Sequence, residues 1–326
     1  MTNPYQKILV TGSSAVLGTA VRAIAPDYPD HQLIFLTSKD CDLTDPAATL
    51  AVVKRHQPDA ILHLAAVSGG IGMGRKHPAK MLRDNLLMTF SVLDAARQAG
   101  IQKTVMTLSV GMYPLDAPLP LNEENIHDGA AHPSNYAYSY SKRLIEPAIR
   151  AYREEYGMNV IGLIPSGIFG PNDNFNEEDA PMLPALIRRF YENRNTQEPI
   201  VIWGDGTPLR EYTFSEDLAR IYLWALLNYD EAQVLNIGTT EENSIQDIAF
   251  MISDALDVDR SRIQFDTTKP KGIHRKPTDN SRLQQLAHYR YTPFPEGLKK
   301  TLDWFVDAYE NHPDQIRLYS KKGVSA

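Results

Sequence analysis

Lys7-Ile8-Leu9-Val10-Thr11-Gly12-Ser13-Ser14-Ala15-Val16-Leu17-Gly18 is the stretch that decides the fold, together with the Thr19-Ala20-Val21-Arg22-Ala23-Ile24 that follows it. An apolar, β-branched run enters a glycine turn and leaves it in a helical pattern, so the segment reads as strand, turn, helix. Gly12 allows the tight turn, the small Ala15 lets a pyrophosphate approach the backbone, and Gly18 lets the helix pack closely on the strand. The helix N-terminus then faces the phosphates. A glycine-spaced turn by itself can be purely structural. Here its surroundings favour a nucleotide. Strand-like segments recur at 32–37, 60–64, 103–109 and 160–164, separated by amphipathic stretches at 46–56 and 81–98. Such alternation implies an α/β fold of the Rossmann type, a doubly wound parallel sheet with helices on both faces.

After Pro171 the rhythm loosens. Residues 181–195, 215–228 and 244–256 have helical patterns, and 199–203 and 234–237 are extended. These pieces suit a smaller α/β domain over the carboxyl edge of the sheet, where ligands of open α/β folds bind. The expected division is a nucleotide-binding domain over residues 1–172 and a substrate-binding domain over 173–326, with some later segments returning to the first. The polar tail 321–326 is expected to fray.

Composition narrows the function. A length of 326 residues suits one large α/β unit or a main domain with a smaller partner, and 43% apolar residues can fill a sizeable core. A formal charge of -7, without a dense basic run, argues against a nucleic-acid footprint. The single cysteine, Cys41, excludes an internal disulfide framework and suits a reducing compartment. No apolar run approaches the roughly 20 residues needed to span a bilayer, and no leader pattern is visible, so the expectation is a cytoplasmic protein without membrane contact. No His, Cys or acidic cluster has metal-ligand spacing, and His77, His127 and His132 read as loop or hydrogen-bonded histidines.

Tyr138-Ser139-Tyr140-Ser141-Lys142 places a phenol and an ammonium four residues apart, on one face of a helix. A cation beside a phenol is expected to lower its pKa, giving an acid that delivers a proton to a carbonyl oxygen while a hydride moves at the attached carbon.

In order along the chain, Gly12-x-x-Ala15-x-x-Gly18, Leu64-Ala65-Ala66, Ser109 at a strand end and Tyr138-x-x-x-Lys142 resemble an extended short-chain dehydrogenase/reductase. Within that superfamily the chain resembles the GDP-L-fucose synthase family, which epimerises C3 and C5 of GDP-4-keto-6-deoxymannose and reduces C4. Carrying this resemblance are Thr37-Ser38-Lys39-Asp40, His132-Pro133-Ser134-Asn135, Pro165-Ser166-Gly167-Ile168-Phe169-Gly170-Pro171, Asp173-Asn174-Phe175, Trp203-Gly204-Asp205-Gly206-Thr207-Pro208-Leu209-Arg210-Glu211-Tyr212 and Phe265-Asp266-Thr267-Thr268-Lys269. It runs from about residue 7 to about residue 310.

The resemblance implies NADP(H) as cofactor and a GDP-linked 4-keto sugar as substrate. Tyr138 would protonate the alkoxide, Lys142 would tune the phenol and hold the nicotinamide ribose, and Ser109 would bind the ketone oxygen. The cofactor would lie along Gly12 to Gly18 (Gly12, Ser13, Ser14, Ala15, Val16, Leu17, Gly18), against Leu64, Ala65, Ala66 and Pro165, with Asp42 and Leu43 beside the adenine. Ser38 and Lys39 at the end of the second strand favour a 2′-phosphate, whereas an NAD site usually carries an acid there. Asp40, just beyond, leaves NAD open, and Lys39 read alone is a solvated loop charge. Val110, Gly111, Gly167 and Asn174 would border the sugar. Arg189 and Arg210 would hold the diphosphate, for which planar cationic forks are suited. Trp203 falls among the substrate positions, although its extended, apolar setting reads as core. The family forms homodimers through two long helices per subunit, one bearing the Tyr and Lys, and residues 140–156 would supply that one.

Three positions depart from the family. Aligned on Ser109 to Pro114, its proton-transferring cysteine is Gly111. Aligned on Glu178 to Pro184, its proton-transferring histidine is Pro181. Neither replacement carries a proton, which leaves C4 reduction without the double epimerisation unless Glu178, Asp179 or Tyr113 substitutes. Gly167 replaces a pocket asparagine. Together with Gly111 it is expected to enlarge the pocket, toward a longer sugar such as a heptose. Rival readings from the same Ser, Tyr and Lys are a complete GDP-L-fucose synthase with substitute residues, a nucleotide-sugar 4-epimerase retaining NAD, and a catalytically silent sugar-nucleotide-binding protein.

Overall fold

The computed structural model describes residues 5–69, 74, 76–176, 178–269 and 272–318, so the tail 321–326 lies outside the described residues. β1 (Lys7–Thr11) has Ile8, Leu9 and Val10 almost wholly buried, as a strand covered on both faces requires. It is joined by β2 (Gln32–Leu36), β3 (Ala60–His63), β4 (Lys103–Thr107), β5 (Val160–Pro165) and β9 (Leu235–Ile237) in one parallel sheet of order β2-β1-β3-β4-β5-β9. The chain leaves β1 toward β2 and then returns to β1's other side as β3. This reversal opens a crevice at the carboxyl ends of β1 and β3, the ligand position in open α/β sheets.

Helices seal both faces. α1 (Val16–Ile24) and α7 (Ser215–Asn228) pack together on one side through Val21, Ile24, Leu218, Tyr222 and Leu226. On the other, α2 (Pro46–His56) and α3 (Pro78–Ala99) contribute Val52, Val53, Val92 and Ala96. α2 is well delimited: the Asp45 carboxylate accepts the Ala47 and Ala48 N–H groups, Pro46 opens the first turn, and Lys54, Arg55 and His56 lie at the negative end. α4 (Tyr136–Arg143) and α5 (Ile145–Tyr156) run on from one another with Leu144 between them. Pro147 explains the interruption, because it has no N–H to give the carbonyl four residues back.

A second lobe grows directly out of the sheet. β6 (Gly167–Phe169) starts one residue after β5 and pairs with β8 (Leu209–Phe214), which pairs with β10 (Glu242–Ser244). β7 (Ile200–Trp203) and β11 (Ile263–Asp266) form a separate parallel pair. Around them α6 (Met182–Glu192), α8 (Ile245–Ala255) and α10 (Phe294–Asn311) enclose an aromatic core including Phe169, Phe175, Phe190, Phe214 and Phe305. α9 (Ser281–Ala287) lies beside β9. Of the segments after residue 172, α7 and β9 thus pack with the six-stranded sheet. Among the described residues no helix is long and apolar enough to cross a membrane.

Phe305 holds the second core together, with ring centroids 4.6 Å from Phe175, 5.4 Å from Tyr191 and 5.6 Å from Tyr309. Phe305→Ala is expected to cost about 3–5 kcal/mol in chemical denaturation. A loss below about 1 kcal/mol would contradict this packing.

Candidate active site

The glycine turn closes against the end of β3. At Gly12, φ is +69° and a Cβ would lie 2.6 Å from the Ala65 nitrogen; at Gly18 a Cβ would lie 2.4 Å from the Gly12 carbonyl oxygen. Only glycine fits either position without moving backbone. Ala15 gives α1 no side-chain cap, so the helix's first amides remain available to an anion. Ser14 and Ala15 are exposed in the crevice, while the buried Ser13 turns its hydroxyl onto the Leu36 carbonyl at 2.9 Å. Val16 is half-buried, and Leu17 packs into the core. Beyond β2, Ser38 and Lys39 are exposed. The Asp40 carboxylate accepts from the Thr37 amide at 2.8 Å and the Thr37 hydroxyl at 2.7 Å. These bonds hold its pKa below the usual value and engage it within its own loop. That arrangement fits a 2′-phosphate at Ser38 and Lys39 better than a carboxylate on a ribose diol. Asp42 is likewise turned onto Thr44, and Leu43 packs under β2. Leu64 is buried, whereas Ala65, Ala66 and Pro165 are half-buried along the crevice.

Tyr138 and Lys142 share a face of α4, and Ser109 sits two residues beyond β4. The Ser109 hydroxyl accepts the Gly111 N–H at 3.1 Å and lies near enough to the Tyr138 phenol to draw its pKa down. Ser109 is therefore a turn cap and a neighbour of Tyr138 at once. Lys142, 2% exposed, donates to the Thr107 carbonyl at 2.9 Å and lies 6.0 Å from the centre of the Tyr138 ring. The expectation of a lowered phenol pKa is overturned. Burial pushes Tyr138 up, and the Ser109 hydroxyl offsets only part of this. Burial also pulls Lys142 down to about 8. Desolvation outweighs the cation because the ammonium rests on a carbonyl and not on the phenol. At neutral pH the pair therefore holds a protonated phenol and a charged lysine, the forms a proton donor needs.

Around this trio, the two glycine substitutions differ. A Cβ on Gly111 would lie 3.4 Å from Ser109 Oγ and 3.8 Å from Tyr138 Cε1, so a side chain fits there and would touch the tyrosine. A Cβ on Gly167 would lie 2.5 Å from the Glu211 carbonyl oxygen and 3.3 Å from the Tyr212 ring. Backbone and ring fill that space, which corrects the expectation that Gly167 enlarges the pocket. Pro181 caps α6 and is exposed. Of the substitute proton carriers, Tyr113 is buried and donates to Asn236 Oδ1 at 2.8 Å. Asp179 bonds Asn174, Asn176 and Arg317, and Glu178 is exposed. None of these observations aims a proton at the Tyr138 site.

The remaining substrate candidates are spread along the second lobe. Val110 accepts Lys276 Nζ at 3.1 Å through its carbonyl, and Asn174 Nδ2 donates to Asp179 Oδ1 at 2.8 Å. Arg189 is exposed and donates to the Val201 carbonyl at 2.6 Å. Arg210 donates to the carbonyls of Leu209 and Ile273 at 2.7 and 2.9 Å, and burial lowers its pKa. Trp203 is 61% exposed, with Lys269 Nζ 5.9 Å from its ring centre. Its reading as core is thereby corrected. Three polar residues were given no role in the sequence reading. His63 and Thr107 lie beneath Lys142, and Asp173 buries a carboxylate oxygen that has no hydrogen-bond partner. Burial raises Asp173 to about 7. A histidine directly before Leu64-Ala65-Ala66, inside an apolar strand, was the available signal for His63.

Residues 8–238 match the NAD dependent epimerase/dehydratase family. GDP-L-fucose synthase from Dictyostelium discoideum is 34% identical over 95% of this chain and 98% of its own length. A GDP-L-fucose synthetase from Naegleria fowleri, solved bound to NADP, is 32% identical with a TM-score of 0.89 over 96% of each chain. The GDP-6-OMe-4-keto-L-xylo-heptose reductase from C. jejuni shares the fold, with a TM-score of 0.86 at 23% identity over 94% of this chain and 99% of that one. The chain belongs to the NAD dependent epimerase/dehydratase family.

Gly18→Ala forces the turn apart at the point of closest approach. Its NADP+ affinity, read by fluorescence titration, is expected to fall about tenfold or more, equivalent to about 1.4 kcal/mol. Unchanged affinity would show that the turn does not hold the dinucleotide.

Proposed function

We propose that this member of the family is an NADPH-dependent reductase of the C4 ketone of a GDP-linked sugar, and that it leaves C3 and C5 unepimerised. One observation carries the reading: Ser109, Tyr138 and Lys142 lie close together, while position 111 beside them, where the resemblance implies a cysteine, is a glycine. NADP(H) is favoured by the exposed Ser38 and Lys39 and by an Asp40 already engaged with Thr37, and by the NADP-bound relative.

The chemistry follows from the site. When bound, NADPH supplies the hydride that turns the ketone carbon into a carbinol carbon. Ser109 holds the ketone oxygen where negative charge develops, as a preformed donor does for any oxyanion. Tyr138 gives that oxygen its proton and becomes a phenolate, which the Lys142 ammonium and the Ser109 hydroxyl stabilise until solvent restores the proton. Epimerisation would need a further base and acid about the ring, at C3 and C5. Gly111 and Pro181 supply neither. Space opened at Gly111 but not at Gly167 places any added room beside Tyr138, and either a 6-deoxyhexose or a heptose fits this reading. Arg189, Arg210 and the exposed Trp203 with Lys269 are assigned to the nucleotide portion, whose diphosphate suits guanidinium forks and whose base suits an aromatic face.

The assembly proposed is a homodimer. Leu87 and Phe90 on α3 are 39% and 41% exposed, and Tyr140 and Leu144 beside them are 38% and 45% exposed. α3 packs against α4 and α5, and a second copy covering these helices would bury the four side chains. Size-exclusion chromatography with light scattering is expected to give a dimer, and Phe90→Asp with Leu144→Asp a monomer. A wild-type monomer would refute the pairing.

Screening GDP-4-keto sugars is expected to show one NADPH oxidised per ketone reduced. Tyr138→Phe should lower kcat about 10²- to 10⁴-fold, the range for loss of a positioned acid. Cofactor that copurifies tightly, with sugar interconverted and no net NADPH oxidation, would point instead to a 4-epimerase.

A further inference from the structure

Beneath the Tyr138–Lys142 pair runs a hydrogen-bond chain that the proposed reaction does not use. Lys142 Nζ donates to the Thr107 carbonyl at 2.9 Å, and Thr107 Oγ1 donates to the His63 carbonyl at 2.8 Å. His63 Nδ1 and Thr11 Oγ1 share a hydrogen bond of 2.9 Å. Thr11 Oγ1 also accepts the Ala65 N–H at 3.3 Å, and Ala65 is the residue on which the Gly12 turn closes. Tyr222 of α7 is wholly buried, and its hydroxyl has no hydrogen-bond partner among the described residues.

A lysine side chain has four rotatable bonds and a strongly hydrated head, so a buried ammonium wanders unless something fixes its acceptor. The groups facing Lys142 are Tyr138 from its own helix, His63 from β3 and Thr107 from the end of β4. Burial and the neighbouring lysine push His63 down to about 3, so its ring is neutral. Burial alone accounts for the shift of Lys142, with no carboxylate among its causes. The Thr107 carbonyl is thus the acceptor that compensates the charge.

We propose that Thr107 is a positioning residue for Lys142: its hydroxyl, tied to His63, fixes the carbonyl that anchors the ammonium, and links the lysine through Thr11 to the glycine turn. The proposal rests on the reading of Lys142 as part of a reductase site. It adds a residue that touches neither substrate nor cofactor, and a route by which the turn and the lysine move as one unit.

Thr107→Val keeps the carbonyl and the side-chain shape but removes the hydroxyl. Thr107→Ser restores the hydroxyl. The readout is NADP+ affinity against pH, by fluorescence titration without any sugar, so it reports on Lys142 even if no GDP-4-keto sugar is reduced. Affinity in the wild type is expected to fall as pH rises through about 8, where burial places the loss of the Lys142 proton. In Thr107→Val the ammonium has a less fixed acceptor, and this falling limb should move to lower pH by about half a unit. Thr107→Ser should retain the wild-type profile. Should Thr107→Val fail to fold, Thr11→Val, which removes the hydroxyl bonded to His63 Nδ1, is measured in the same way, with a smaller shift in the same direction. A limb unmoved in the folded variant, or a uniform loss of affinity at every pH that serine does not rescue, would overturn the proposal.

Discussion

Lys142 Nζ has left water for a carbonyl oxygen 2.9 Å away, and much of the site follows from the cost of that move. A buried ammonium without a carboxylate partner loses hydration that a single neutral acceptor repays only in part. Its pKa falls to about 8 in consequence. The same dryness raises the Tyr138 phenol and keeps it protonated. Burial, then, and not the attraction between phenol and ammonium, sets the resting state of the pair. The carbonyl is held by a threonine whose hydroxyl reaches β3, the neighbour of the strand that begins the nucleotide turn. Sheet order therefore matters to the chemistry, since β1, β3 and β4 are adjacent and each contributes a residue to this chain of bonds.

Much of this was legible in the residues. β1 with its glycine turn was recognisable because each glycine answers a steric demand, and the structure places a would-be Cβ within 2.6 Å of backbone at Gly12 and 2.4 Å at Gly18. α2 and α7 fall at the bounds their patterns gave, 46–56 and 215–228, because both have clear polar starts. The later strands β8, β10 and β11 were harder. They are largely half-buried, and β10 has only three residues, so their patterns lack the apolar runs that marked the first sheet. Spacing within the Tyr138 helix located the pair but gave no burial, and the sign of the phenol's shift depended on burial.

Trp203 and Gly167 teach the complementary lesson. An indole in a strand looks like core, yet β7 pairs with one neighbour, β11, and leaves this ring open to solvent. A glycine where the family resemblance leads one to expect an asparagine looks like a cavity, yet at Gly167 the Glu211 carbonyl and the Tyr212 ring occupy the space. Gly111 is the position where the substitution changes the space beside the reacting groups. On the proposed reading, what is missing there is a proton carrier and its volume together, adjacent to Tyr138.

The central claim is that one side chain, Tyr138, exchanges a proton with the substrate. It is tested most directly by incubating the protein with GDP-4-keto-6-deoxymannose and NADPH in deuterated water and reading the sugar by NMR. The account predicts a reduced sugar with protium retained at C3 and C5 and the configuration there unchanged. Efficient deuterium incorporation at either carbon would contradict it.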